Sequence, residues 1–450
     1  MKFVKILFGA LGLLLCLFSA LSATIINVPD DQPTIQAGVD AAASGDTILL
    51  KPGIYTGDGN NNIRLYDKSL VIIGTAGPDS TIIDVIESNQ YAFFCDITID
   101  ERITFDLSDV SITNASCGIY SYYGIITFNL ENVVIHNCTG WAINVFGGSV
   151  NVNVNNCEIS NNINGISSEI GEVFIGNSDF YYNSGTAMGI CAYNYPSDTT
   201  LIATKCRFVG NNMAIAKFSP GRVDSCTFDS NQVSIGGEGI YSDCNFTHTM
   251  QSVILMGCCR TMAVYNSVFE TNYGNIARIG DMPSSPSSIL FDNCQFSYNN
   301  GGVSEYGMGA RSIRMYDCTY IYNDSPVVIT FCPSRSIIEN CTFAYNSNGA
   351  IRVKDYYEDH SIANNIFYNN SYAINADTYL DSSYQFYFGC CDVYSENGDQ
   401  YIGIPDHTGI NGNISADPQF CDLVTDDYTI NLFSPCAPEN NSCNVLMGSW

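Results

Sequence analysis

The chain has 450 residues and a formal net charge of −28, with 45 acidic against 17 basic side chains. A chain this acidic repels nucleic acid and anionic lipid, so neither is an expected partner. Its 20 Cys and 29 Tyr are the unusual counts, and the sequence has to account for both.

Residues 1–23 read as a secretory signal. Lys2 and Lys5 give a basic start, residues 6–18 an apolar run, and Ser19, Ala20, Ser22 and Ala23 small residues for cleavage. The run is short for a membrane span, and no later stretch has 18 consecutive apolar residues, so no span is expected. Cys16 raises a lipoprotein reading, but bulky Leu15 stands where a lipobox takes a small residue. The expected location is secreted or at the cell surface.

Residues 24–450 read as one domain, of which 24–84 form an N-terminal cap and the first coils. Ile26–Val28 begins as a strand. Ile35, Val39 and Ala42 mark one face of a short helix, with Thr34 as its N-cap and Gly45 ending it. Strands are expected at residues 46–50, 70–73 and 81–83, the first followed by the turn Pro52-Gly53. A repeat array needs such a cover, because its open end exposes apolar core and strand edges.

Residues 85–404 carry a repeat whose clearest copy is Asn340-Cys341-Thr342-Phe343-Ala344-Tyr345-Asn346. It recurs with a spacing of 18 to 28 residues, the signature of a solenoid. Cys157, Cys206, Cys226, Cys244, Cys294, Cys318, Cys341 and Cys391 share one column. Two residues on stand aromatic or aliphatic residues such as Phe208, Phe228, Phe246 and Phe269, a strand period that puts both side chains on one face. The residue before the Cys column is Asn or Asp in ten of thirteen copies, which fits a left-handed bend between two strands. Asn five residues after the column, as in Asn299, Asn323 and Asn346, is expected to satisfy turn backbone in successive coils. Three strands per coil at about 4.8 Å per coil make a parallel β-helix. A leucine-rich horseshoe, whose period also falls in the twenties, is disfavoured, since its Leu-x-x-Leu-x-Leu phrase is absent and no segment alternates strand with helix. The Cys column is expected to be a ladder of buried thiols packed as small hydrophobes. Zinc is not expected: there is no Cys-x-x-Cys, and His136, His248, His360 and His407 are scattered.

Residues 405–450 read as an irregular C-terminal cap. Cys421, Cys436 and Cys443 lie close together there, and Cys436–Cys443 is the simplest bridge.

Several of these phrases resemble a known group. Val28-Pro29-Asp30-Asp31-Gln32-Pro33-Thr34-Ile35-Gln36-Ala37, Gly45-Asp46-Thr47-Ile48 and Pro52-Gly53-Ile54-Tyr55 resemble the opening of right-handed parallel β-helix repeat proteins of the pectin-lyase-like superfamily. The Asn-Cys-x-Phe coils and the closing Asp417-Pro418-Gln419-Phe420 and Ser434-Pro435-Cys436 resemble it too. The resemblance implies an all-β, right-handed parallel β-helix with a short N-terminal capping helix. It implies no single activity, since the superfamily spans lyases, hydrolases, esterases, adhesins and proteins without known activity. The Gly-His-Gly of its glycosidases and the Asp-Phe-Ile-Phe-Gly and Leu-Gly-Arg-Pro-Trp phrases of its methylesterases are absent, and no Arg or Lys falls in its pectate-lyase motif.

Three groups of residues remain as candidates. Glu158, Asp179 and Arg207 follow the Cys column in successive copies, so they would stack outward as two carboxylates and a guanidinium, a set suited to acid–base work or a cation; read blandly, they are a surface ion pair. Asp355, Glu358 and Asp359, with His360, form an acidic loop that could take Ca2+, though its spacing matches no defined site. Tyr181, Tyr298, Tyr322, Tyr345 and Tyr368 occupy similar places in their coils and would stack against flat sugar faces, or simply brace the strands. The expectation is therefore a monomeric, exported scaffold without an obligate cofactor, more in keeping with binding polysaccharide or a cell-surface glycan than with catalysis. The alternative is a polysaccharide lyase or glycoside hydrolase on the same fold.

Overall fold

The computed structural model describes residues 23–86, 90–98, 102–169, 171–190, 199–217, 221–256, 261–279, 287–305, 311–329, 336–354, 360–376, 387–396 and 399–449. Residues 1–22, with most of the signal reading, lie outside this set.

The chain is an all-β parallel solenoid of three sheets. Among the described residues, sheet 1 has 16 strands, from Ile25–Val28 to Tyr387–Gly389. Sheet 2 has 15, from Gly53–Tyr55 to Asp392–Tyr394, and sheet 3 has 15, from Ile63–Leu65 to Tyr401–Ile402. Neighbours within a sheet come from successive coils, as in Phe343↔Phe367.

The repeated phrase maps onto one corner of each coil. Ile337–Glu339 belongs to sheet 1, Asn340 turns the corner, and Thr342–Ala344 belongs to sheet 2. The corner residue has φ between 47° and 58° in all thirteen copies, including Lys205, Ser225 and Cys390. Asn and Asp dominate because they tolerate this left-handed backbone at little cost. Tyr345, with φ 55°, makes a second left-handed bend before the chain crosses to the sheet 3 strand Ile351–Val353.

Inside, Phe180, Phe208, Phe228, Phe246, Phe269 and Phe296 stack face to face with centroids 4.8–5.0 Å apart. The Cys column lies beside them and is buried and unbridged. Its thiols do more than fill space. Each donates to the carbonyl two residues back, across the bend: Cys206 to Thr204 at 3.3 Å, Cys318 to Tyr316 at 3.1 Å, Cys341 to Glu339 at 3.2 Å. Ser178 and Ser267, which replace Cys in the column, make the same bond at 2.7 Å. Where the column holds Cys or Ser it therefore supplies a small donor that closes the corner, while Val110 and Val133 fill it as hydrophobes in the first two copies. We expect iodoacetamide to leave Cys294, Cys318 and Cys341 unlabelled in native protein while exposed Cys421 reacts, with all four labelled after unfolding. Peptide mass mapping checks this; native labelling of Cys294 or Cys318 would contradict it.

Asn at five residues past the column forms a second, polar ladder. Asn162, Asn183, Asn211 and Asn231 make one run and Asn272, Asn299, Asn323, Asn346 and Asn370 another, with Thr249 between them. All are buried, as the sequence led us to expect of a structural role.

The N-terminal helix is Ile35–Ala41, and the Thr34 hydroxyl accepts from the Ala37 N–H at 3.2 Å. It ends at Ala41, earlier than read from sequence. Gly45, with φ 94°, instead turns the chain into the strand Thr47–Leu50.

The C-terminal residues do not follow the coil path. The antiparallel hairpin Phe420–Asp422/Asp427–Ile430 and the chain after it fold back along the outer face of sheet 2. Tyr428, Cys436 and Met447 pack there against Ile321, Ala344, Ile366 and Tyr368. The Ser449 N–H reaches back to the Thr342 hydroxyl at 3.0 Å. A bridge pins this segment, but it is Cys390–Cys443, 53 residues apart with Cα atoms 5.9 Å apart, not Cys436–Cys443. Cys436 is buried and its thiol donates to the Asp392 carboxylate at 3.0 Å. Among the described residues, no helix is long and apolar enough to cross a membrane.

Candidate functional site

The outer face of sheet 3 carries a row of rings that starts at its first coils. Outward positions in paired strands hold Arg64, Phe94 and Tyr120 in succession. Tyr91 stacks on Tyr120 with centroids 4.9 Å apart and planes within 10°. Tyr120 and Tyr122 lie at 6.5 Å and 16°, and Tyr122 and Phe146 at 5.6 Å and 6°. The Arg64 guanidinium sits over Phe94 at 5.5 Å. Tyr122 is 46% exposed and Phe146 41%, so this is a surface ledge, not core.

Beyond Tyr120 the same outward row becomes small. Asn144, Ser167, Gly189, Ala216 and Gly236 pair in successive strands, followed by Leu255 and Arg278. The Trp141 ring flanks this floor, 3.3 Å from where a Cβ at Gly189 would stand. Stacked, nearly parallel aromatics therefore lead onto a floor of small side chains. From Phe94 to Gly236 it runs roughly 30 Å along the helix axis at the usual strand spacing. Burial, with the neighbouring Tyr91 and Tyr122 hydroxyls, raises the Tyr120 pKa. The ledge thus offers hydroxyls and apolar ring edges to solvent, which suits an amphipathic partner.

Glu158, Asp179 and Arg207 do stack. They pair in register across three sheet 2 strands, and the long excursion before Arg207 does not interrupt the pairing of Phe180 with Phe208. Arg207 lies 3.8 Å from Asp179, and its guanidinium sits 5.4 Å over the Tyr181 ring. Burial and the Asp179 carboxylate push the Tyr181 hydroxyl up to about 12. The ion pair is open to solvent, with side chains 59% and 35% exposed, and so is screened and worth little to stability.

The tyrosine candidates separate into two places. Tyr298, Tyr322 and Tyr345 occupy the second left-handed bend and stack at 5.1 Å. Tyr181 and Tyr368 are instead the last residues of their sheet 2 strands. The C-terminal segment covers much of this row. Tyr368 is buried with Phe420 edge-on at 5.2 Å, Tyr322 and Tyr345 are half-buried beside Tyr428, and the Tyr298 hydroxyl donates to Asp426 at 3.1 Å. The chain's own cap thus takes the place on this row that the sequence reading gave to a sugar.

Asp355, Glu358 and Asp359 lie outside the described residues. Neighbouring His360 is buried and accepts from the Ser336 N–H at 3.2 Å. Among the described residues, no group of three or more His, Cys, Asp or Glu is placed to hold a metal ion. Asp392, an outward residue of the last sheet 2 strand, lies beneath the cap, and burial pushes it up to about 6.

The ledge is a site that the sequence reading missed. The usable signal was register: Ile119 and Ile143 share the inward column nine or ten residues past the Cys position, so Tyr120 and Tyr122 must project beside it, with Phe146 one coil on.

Residues 233–393 match the family profile described as right handed beta helix region. No curated protein matches the chain. Among solved structures, the chain is similar to the A-module of the Azotobacter vinelandii mannuronan C-5 epimerase AlgE6, with 15% identity over 86% of this chain and 95% of that one, at a TM-score of 0.43. It is similar to the catalytic domain of a GH87 alpha-1,3-glucanase, with 12% identity over 73% of this chain and 66% of that one, at 0.43. A mannuronic acid specific polysaccharide family 6 lyase from human gut microbiota gives 10% identity over 65% and 87%, at 0.36.

Proposed function

We propose that the protein is an exported β-helix scaffold that binds polysaccharide along the outer face of sheet 3. The observation that carries this reading is the ledge of Tyr91, Tyr120, Tyr122 and Phe146, held parallel by strand register and continued by a floor of small residues. A pyranose has one apolar face and a rim of hydroxyls. The ring edges of this stack offer apolar contact along the ledge, with Tyr122 and Phe146 the most open to a sugar, and the floor leaves room for those that follow. Export is supported by the pattern of residues 1–23, by the acidic surface, and by the Cys390–Cys443 bridge, which belongs to an oxidising compartment.

The test is a glycan array with neutral and acidic polysaccharides, followed by titration of any hit. Tyr122→Ala is expected to weaken binding about tenfold, roughly 1.4 kcal/mol. Tyr345→Ala, beneath the cap, is expected to leave the affinity of folded protein unchanged. Equal affinities for wild type and Tyr122→Ala would sink the sheet 3 assignment.

The second reading, a polysaccharide lyase or hydrolase, draws on the in-register Glu158, Asp179 and Arg207. Assays for reducing ends and unsaturated products on any bound glycan separate the two. Turnover lost in Asp179→Asn would favour catalysis; binding without turnover would favour the scaffold.

A further inference from the structure

On the outer face of sheet 1 the middle column begins as a polar ladder. The Asn129 amide donates to the Asp106 carboxylate at 2.6 Å, and the Asn153 amide donates to the Asn129 Oδ1 at 2.7 Å. The next two coils break the pattern with Phe174 and Ile202, paired in register after Asn153. Phe174 is 37% exposed and, unlike the rings of the core and the ledge, has no ring partner among the described residues. A single exposed ring means little by itself. The column beside it gives it a use.

The adjacent outward column on the same strands reads Asn155, Gly176 and Thr204. Gly176 leaves out the middle side chain. A Cβ there would stand 3.0 Å from Asn155 Oδ1 and 3.7 Å from Thr204 Oγ1, so an amide oxygen and a hydroxyl face each other across a gap one strand wide. The backbone does not demand this glycine, because its φ is not positive. Asn155 is held in orientation. Its Nδ2 donates to the Glu131 carboxylate at 2.8 Å and its Oδ1 accepts from the Asn177 amide at 3.0 Å, which leaves Oδ1 one lone pair. Asn153, Asn155, Phe174, Gly176, Ile202 and Thr204 line a surface pocket of about 280 Å3. That is just below the span of about 300–1,000 Å3 usual for small-molecule sites, room for one ring and not for a chain.

We propose that this notch is a second carbohydrate site, one that holds a single neutral hexopyranose residue. The sugar sets its apolar side against Phe174 and Ile202. One hydroxyl enters the gap over Gly176, donating to Asn155 Oδ1 and accepting from the Thr204 hydroxyl. An apolar wall with a few placed polar atoms is what orients a small polar ligand. The surrounding charge sets the class of sugar. Glu131, Glu172 and Asp224 supply three carboxylates against Lys205 and Arg222, and Arg222 already pairs with Asp224 at 3.7 Å. A uronic acid would meet net negative charge. The site lies on a different sheet from the aromatic ledge and does not rest on that assignment.

The test titrates native protein with the methyl glycosides of glucose, galactose and mannose, and with methyl glucuronide, by saturation-transfer NMR. At least one neutral glycoside is expected to bind Tyr122→Ala as tightly as wild type and Phe174→Ala at least tenfold more weakly. Methyl glucuronide is expected to bind wild type at least tenfold more weakly than that glycoside. Gly176→Thr fills the notch with a β-branched residue suited to a strand, so the fold should be kept while binding falls at least tenfold. Failure of all three neutral glycosides to bind, undiminished affinity in Gly176→Thr, or glucuronide bound as tightly as the neutral sugar would each overturn the proposal. Affinity lost in Tyr122→Ala and kept in Phe174→Ala would overturn it as well, in favour of the ledge. A neutral glycoside that binds as expected, beside a glycan array without a hit, would support this site and count against the sheet 3 reading alone.

Discussion

Asn323→Ala is expected to lower the unfolding free energy by about 3–5 kcal/mol, because one side chain satisfies three groups with no route to water. Its Oδ1 accepts from the Asn299 N–H at 3.0 Å and from the Asn299 amide at 2.9 Å, and its Nδ2 donates to the Phe296 carbonyl at 3.0 Å. Alanine removes all three bonds in a fully buried position; it orphans the Asn299 N–H, while the Asn299 amide keeps its bond to the Phe269 carbonyl at 2.8 Å. Each orphaned buried group costs about 1–3 kcal/mol, and partial relaxation keeps the total below the sum. Guanidinium denaturation checks the size of the effect. Exposed Asn212, which lies outside the ladder, is the control, and Asn212→Ala should stay within about 0.5 kcal/mol of wild type. Stability in a solenoid is coupled chiefly between neighbouring repeats, so hydrogen exchange should rise first around Asn299 and Phe296. Equal midpoints for the two variants would show that the ladder is not a major stabilising element.

The regular part of the molecule was legible because each coil writes the same constraints into the same columns. A bend at φ near 50° selects Asn or Asp, the inward pair selects Cys with Phe, and the second turn selects a buried Asn. These are local demands, repeated often enough for the pattern to outweigh its exceptions. What the sequence hid is long-range. Nothing local in Asp426, Tyr428 or Met447 says that they return to Tyr298, Tyr345 and Ile366, so the tyrosine row read as open surface. Cys443 likewise has Cys436 nearer in sequence, while its partner Cys390 is brought alongside only by that return. The aromatic ledge was missed for a different reason. It combines strand residues with residues just past the strand ends, so its rings share no single repeat column even though they form one stack.

The cap and the ledge divide the molecule's surface between them. On sheet 2 the apolar outward residues Ile321, Ala344 and Ile366 are buried by the C-terminal segment, so this face is closed by the chain itself. On sheet 3 the outward rings at the other end of the solenoid keep much of their area in solvent. Exposed aromatic area that the fold does not use for its own packing is the better place to look for a ligand. The two tyrosine sets therefore make opposite predictions: truncation should unsettle the fold at Tyr368 and should change binding at Tyr122.

Lys217→Met is expected to stabilise the protein by about 3–5 kcal/mol near pH 6.5, a direction opposite to that of most core substitutions. Methionine keeps the unbranched shape and removes an amine that is fully buried and has no hydrogen-bond partner among the described residues. The pH dependence identifies the cause. The buried amine titrates at about 7 in the folded protein, whereas in the unfolded chain a lysine titrates near 10.4. Between those values the unfolded chain holds a proton that the folded chain has given up, so wild-type stability rises as pH rises through that window. Below about pH 7 both states are protonated and the full penalty is present. The advantage of Lys217→Met should therefore be largest below pH 7 and shrink steadily towards pH 10. Denaturation midpoints at several pH values measure it. A gain that does not change between pH 6.5 and 9.5 would point to packing and not to a buried charge. No gain at pH 6.5 would mean that the ammonium finds a compensating partner in solution.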